Sequence, residues 1–350
     1  MKDEIREILK QLISIPSPSG EERILAERVK AMLQEIGFDV RTQEVKPNSF
    51  NLIGERGLSS LLLCTHLDTI PPFGHPNPYE LVEENGEFIG RGVVDAKGQI
   101  ASLLVALRHS KGPCKVALTV DEELEGKGSE KLELEVEEAI VLEPTNLSLC
   151  IAEAGSLEYE IDVKGKPTHS ATPEKGDNAI LKALSLYEEL SNLSFLQARH
   201  PLFPPPVVNL SFIQGGEFIT VVPSTCKIQV DIHILPNVNI DQAKIEVENF
   251  LKEKNVNFKL VDIAHPYELP EPPSVCNYIE EFMKSKGKDI IYAGMRSWTD
   301  AANLIKKGIN SVVLGAGDLS VAHSEREWVN ADDLLFLTEL LIYIIDNYGR

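Results

Sequence analysis

The sequence predicts an α/β domain interrupted by a smaller α+β insertion. Three observations carry this. Short apolar runs, "SSLLLCTHLD", "CKVALTVDEE", "EEAIVLEPT" and, far later, "INSVVLGAGD", have the length of buried strands and end in polar or Gly/Pro punctuation. A helix-like stretch, "AKGQIASLLVALRHS", lies between the first two, and buried strands alternating with helices imply a sheet covered on both faces. The middle of the chain changes character: "SLEYEIDVKG" and "CKIQVDIHILP" alternate apolar and polar residues, as half-exposed antiparallel strands do.

In chain order, the first 40 residues read as two helices. "MKDEIREILKQLISI" carries charges throughout its first turns, which suits a helix and not a secretory signal. In "IPSPSGEERILAERVKAMLQEIGF", Ser19 and Glu22 match a capping box. Ile24, Leu25, Val29, Met32, Leu33 and Ile36 then recur with helical spacing. Within the insertion, the helical patterns "NAILKALSLYEELSNL" and "DQAKIEVENFLKEKN" flank a Pro-rich loop, "HPLFPPPVV", and a short strand is expected near "FKLVDIA". That is a β-α-β-β-α-β-like order. The expected boundaries are 1–156 and 267–350 for the α/β domain and 157–266 for the insertion.

Bulk properties narrow the function. At 350 residues the chain is long for one domain, and 43% hydrophobic with 25% charged residues permits a sizeable core. A net charge of -20 argues against nucleic acid, which needs Lys and Arg to neutralise phosphate. No apolar run approaches the roughly 18 to 20 residues of a membrane span. The five cysteines, at 64, 114, 150, 226 and 276, form no CxxC pair. Reduced thiols and a cytoplasmic location are expected.

Strand ends collect groups that act outside α/β sheets. "CTHLDT" puts His66 and Asp68 past one apolar run, "TVDEELEG" puts Glu122 and Glu123 past a second, and "VLEPT" puts Glu143 past a third. "GRGVVDAKGQ" places Asp95 in a Gly-bounded loop, and "VAHSEREW" adds His323. Each has an ordinary reading: a core or surface histidine, a turn aspartate, a helix start rich in acids. Together, two imidazoles and three carboxylates suit a two-metal site with one bridging acid, and leave Glu122 free as a base.

At these residues the sequence resembles the M20 family of metallopeptidases and amidohydrolases. "HLDTIP", "GRGVVDAKG", "VDEELEG", "LEPTN" and "AHSEREWV" match the family's motifs in order, and "GKPTHSATPEKGDNAI" resembles its lid segment. The resemblance implies a zinc-exopeptidase-like catalytic domain with an inserted ferredoxin-like lid that also dimerises. It implies two zinc ions per chain, with cobalt as the alternative. Asp95 would bridge them, His66 and Glu143 would hold one, and Glu123 and His323 the other. Asp68 would orient His66, and Glu122 would be the general base for water attacking an amide. His169 would stabilise the oxyanion, often from the partner subunit of a homodimer.

Two departures bear on the substrate. Many relatives have Asn where this chain has Thr220 and Arg where it has His233, a pair that helps bind a substrate carboxylate. Arg296, in "GMRSWTDAANL", lies in a segment similar to the family's substrate loop and is expected to take over anion binding. The expected reaction is removal of an acetyl group from a small amino acid such as N-acetylornithine, in arginine biosynthesis. Desuccinylation or acetyl-lysine-type hydrolysis in lysine biosynthesis, or peptidase action on a short peptide, are the alternatives.

Overall fold

The computed structural model describes residues 1–349, which divide into two compact units. The first comprises Met1–Ile151, Leu269–Ala293 and the chain from Thr299 on. The second comprises Ala152–Glu268 with Gly294–Trp298. The insertion thus overruns the expected 157–266 at both ends. The reason is pairing: Ala152 and Glu153 lie antiparallel to Glu268 and Tyr267. Gly294–Trp298 joins the same unit because the Ala154 amide donates to the Met295 carbonyl at 2.9 Å, and a Cβ at Gly294 would collide with the Phe203 ring.

The first unit is built on a mixed sheet with the strand order Asp39–Lys46, Ser49–Arg56, Cys114–Thr119, Leu61–His66, Glu138–Val141, Asn310–Val313, Leu149–Glu153. The four expected apolar runs form its centre and are mutually parallel where they pair: Leu61–His66 with both Cys114–Thr119 and Glu138–Val141, and the last with Asn310–Val313. Their continuous apolar runs reflect burial on both faces. Helix Lys97–His109 is buried along most of its length and packs against the helices Lys2–Ile13 and Ala331–Asn347. Burying its Ile100, Leu103 and Leu104 contributes about 1.5–3 kcal/mol per side chain.

The capping box is not formed. Helix Arg23–Ile36 starts after Glu22 with no side-chain cap. The Ser19 hydroxyl instead donates to Asp68 Oδ2 at 2.7 Å, and buried Glu22 accepts from the Gly20 amide and the Ser49 hydroxyl. A buried carboxylate is a stronger acceptor than water, and it draws Ser19 away from the helix end. Ile24, expected on the apolar face, is exposed; Leu25, Val29, Met32 and Leu33 are buried.

The second unit is a four-stranded antiparallel sheet, ordered Val208–Gly215, Thr225–Ile234, Gly155–Lys164, Asn257–Ala264, with helices Ala179–Leu190 and Ile240–Glu253. This is the ferredoxin-like β-α-β-β-α-β order. Along Gly155–Lys164 burial alternates strictly, and its inward Leu157, Tyr159, Ile161 and Val163 join Ile228 and Val230 in the core.

Candidate metal centre

Parallel register brings sequence-distant strand ends together. His66 stands opposite Thr119, and Cys64 opposite Val141, so Asp68, Glu122, Glu123 and Glu143 all emerge just beyond the same edge. Hydroxyls tie the ends: Thr119 Oγ1 donates to the Thr65 carbonyl and Thr65 Oγ1 to the Leu142 carbonyl, each at 3.1 Å.

Asp95 lies centrally among these groups. Its Oδ1 is 2.9 Å from His66 Nε2 and its Oδ2 is 3.5 Å from His323 Nε2. Glu143 Oε1 is 3.7 Å from His66 Nε2, and Glu123 Oε2 is 3.0 Å from His323 Nε2. Two imidazole–carboxylate groups therefore share one aspartate. Glu123 Oε1 and Glu143 Oε1 are buried and have no hydrogen-bond partner, which is costly for a carboxylate unless a cation serves it. Donor atoms of His66, Asp95 and Glu123 lie within 4.8 Å of one another. This donor set fits a divalent metal.

Electrostatics follow from the crowding. Burial, with the nearby charges of Asp95 and Asp300, pushes Glu143 up to about 8 despite His66. Burial, reinforced by Glu143, Glu123 and Asp300, holds Glu122 well above the usual carboxylate range. Hydrogen bonds to Asp95 and Glu123 push His323 up to about 10. Burial would lower His66, but Glu143, Glu122, Asp68 and Asp95 outweigh it and hold it well above its ordinary value. Burial would raise Asp95, but His323 and His66 pull it below its ordinary value.

Asp68 does more than face a ring. Its Oδ1 is 3.5 Å from His66 Nδ1, while its carboxylate accepts the amides of Glu122 and Glu123 at 3.2 and 3.0 Å. It thereby fixes the peptide on which the two neighbouring glutamates are mounted. The stretch 121–126 is a turn, not a helix start. Asp121 takes a left-handed φ of 65°, its carbonyl accepts the Gly126 amide at 2.7 Å, and its carboxylate pairs with Lys46 at 2.7 Å.

Several groups around Asp95 escaped the sequence reading. Buried Glu327 accepts the amides of Gly92, Val94 and Asp95 and pairs with buried Arg91. Lys97 donates to the Ile15 carbonyl at 2.7 Å, and burial lowers it to about 7. Glu327 and Arg91 stand inside "AHSEREWV" and "GRGVVDAKG", so the signal was present as unassigned charges within assigned motifs.

The other expected residues belong to the second unit. His169 and Thr220 are exposed on facing segments, joined by the Ser170 amide donating to the Thr220 carbonyl at 2.9 Å. Arg296 is exposed. The expectation of substrate contact at His233 needs revision. Its Nδ1 lies 3.1 Å from the Arg296 carbonyl and its Nε2 3.1 Å from Asp231 Oδ2. Both partners are acceptors, so both ring nitrogens donate and neither is free for a ligand. The hydrogen bond to Asp231 accordingly raises the His233 pKa.

Residues 62–347 match the sequence profile of peptidase family M20/M25/M40. The chain belongs to the M20 family. Like other M20 proteins it is a metal-dependent hydrolase. It is 28% identical to an acetylornithine deacetylase of Photorhabdus laumondii, over 98% of this chain and 96% of that one. Its fold is shared with a tripeptidase from Staphylococcus aureus (TM-score 0.80, 18% identity, 99% and 98% of the two chains). It is shared also with an M20 metallo-carboxypeptidase from Sulfolobus solfataricus (TM-score 0.77, 17% identity, 99% of each chain). The M20 architecture of a catalytic domain carrying a lid domain accounts for the α/β unit and its ferredoxin-like insertion. Among the described residues no helix is long and apolar enough to cross a membrane.

Proposed function

We propose that the chain is a dinuclear amidohydrolase that removes an acetyl group from a small amino acid such as N-acetylornithine. The observation that carries this is Asp95 shared between a His66–Glu143 group and a His323–Glu123 group, with Glu122 beside them. Near full-length similarity to acetylornithine deacetylase supports the substrate class. His66 and Glu143 would hold one ion, Glu123 and His323 the other, and Asp95 both. Zinc suits this donor set, with cobalt as the alternative. When bound, the metals would polarise the amide carbonyl and acidify water.

Glu122 takes the proton from the attacking water and returns it to the departing amine. In the metal-free chain, burial, with Glu143 and Glu123 close by, holds its pKa above the usual carboxylate range. Asp68 keeps Glu122 in place by holding its amide. His169 donates to the developing oxyanion. Arg296 receives the substrate carboxylate, and His233 anchors Arg296 through its backbone carbonyl.

A homodimer is part of this proposal. Val208–Gly215 is an edge strand, and the same unit exposes Leu181, Leu184, Phe212 and Ile213.

The test is hydrolysis of N-acetylornithine, N-acetyl-lysine, N-succinyl-diaminopimelate and dipeptides by chelated enzyme with zinc or cobalt restored. Metal-dependent release of acetate from N-acetylornithine is expected. Preferential cleavage of dipeptides would favour a second reading, a peptidase, which the engaged nitrogens of His233 support because they remove one usual carboxylate contact.

A further inference from the structure

The Asp95 loop is held by a buried ion pair whose hydrogen bonds, among the described residues, run to backbone groups and between its own two members. Glu327 Oε2 accepts the Gly92 amide at 2.9 Å and Arg91 Nη1 at 2.8 Å; its Oε1 accepts the amides of Val94 at 2.9 Å and Asp95 at 3.2 Å. Both side chains are 1% exposed. The other arm of the guanidinium, Arg91 Nη2, donates to the carbonyls of Pro72 and Ser324, each at 3.0 Å. Ser324 adjoins His323, and Pro72 lies on the loop that leaves Asp68. One ion pair thus joins the three segments that bear Asp68, Asp95 and His323.

We propose that Glu327 and Arg91 are positioning residues for the metal centre, setting the place of Asp95 relative to His323 through backbone contacts. This rests on the metal-centre reading above. A carboxylate that receives successive amides of one loop fixes the direction of that loop, and the loop here has little slack. Gly92 has a φ of +82°, and a Cβ there would sit 2.7 Å from Thr69 Cγ2. Asp95 would have to present both oxygens to bridge the proposed ions, and a small rotation of its backbone shifts its distance to both imidazoles. Burial of the pair by itself does not argue for stability, since desolvation offsets much of the attraction. The spread of its contacts over three ligand-bearing segments argues for geometry.

The experiment compares wild type, Glu327→Gln and Arg91→Lys, each freed of metal. Cobalt binding is followed by calorimetry and by the visible absorption of the bound ion, alongside thermal melts. In Glu327→Gln an amide nitrogen must face a donor, so cobalt affinity should fall roughly 10–100-fold and the cobalt spectrum should shift. Arg91→Lys keeps the charge but loses the fork, and should give a smaller loss in the same direction. If Glu327→Gln fails to fold, Arg91→Lys decides. Folded variants that bind cobalt with wild-type affinity and spectrum, whatever their melting temperatures, overturn the proposal and leave the metal-centre reading standing. A wild type that takes up no cobalt removes both.

Discussion

The two units treat most of their candidate residues differently. In the first, His66, Asp68, Asp95 and Glu143 are buried, interlocked and backed by backbone contacts, Glu122 and Glu123 are half-buried, and His323 alone of the set is exposed. In the second, His169, Thr220 and Arg296 are exposed; His169 Nδ1 accepts the Ala171 amide, and His233 is engaged through both ring nitrogens. A metal demands several donors at fixed short distances, which only a rigid interior supplies. Recognition of a substrate tail needs only a few polar groups that water leaves easily, a role the proposal gives to exposed residues. The contrast predicts all-or-none effects in the first unit and graded ones in the second.

The largest break should come from Glu122→Gln, which keeps shape but cannot carry the proton. Turnover should fall about 10²–10⁴-fold, with metal content by elemental analysis near wild type. An active variant would put the base elsewhere. Next, Glu123→Gln should weaken one metal group and spare the other, read as loss of one of two ions in a cobalt titration.

Metal removal should also expose a pH dependence. In the metal-free chain His323 is raised from 6.5 to about 10, so its contribution to stability is complete below about pH 6.5 and fades as pH climbs toward 10. Asp95 is lowered from 3.8, so its contribution is present above that value and fades in acid. Urea unfolding of metal-free wild type and His323→Ala should therefore diverge at pH 6 and converge by pH 10. A gap independent of pH would remove the ion-pair account.

Effects in the second unit should be smaller. Arg296→Ala should raise KM roughly tenfold or more, with kcat and metal content little changed, as loss of a carboxylate contact does. Asp231→Asn should return the His233 titration toward 6.5, read by NMR of the imidazole, because Asp231 is the main cause of its shift.

What was legible in the sequence follows the same division. His66, Asp68, Glu122, Glu123 and Glu143 could be placed at one edge because parallel strands must end together and polar residues after apolar runs mark those ends; Asp95 and His323 joined the candidate set through motif resemblance. The Ser19 cap was misread because the competing acceptor, Asp68, lies 49 residues away in sequence. The engagement of His233 depends on a carbonyl 63 residues away. Strand Val208–Gly215 was not located because it follows a Pro run and is exposed along most of its length. Local pattern reaches local structure, and contacts of this span are set by tertiary packing.

The bond between Arg91 and Glu327 spans 236 residues, with the whole insertion between its partners. On a ribosome, the strands bearing His66, Glu123 and Glu143 emerge long before His323 and Glu327 do. The nascent chain can therefore assemble half of a centre and must wait for the rest. The proposed metal centre would therefore be completed only when the last segment has been made. Cells starved of metal should accumulate a chain whose sheet is complete but whose last segment is loosely docked.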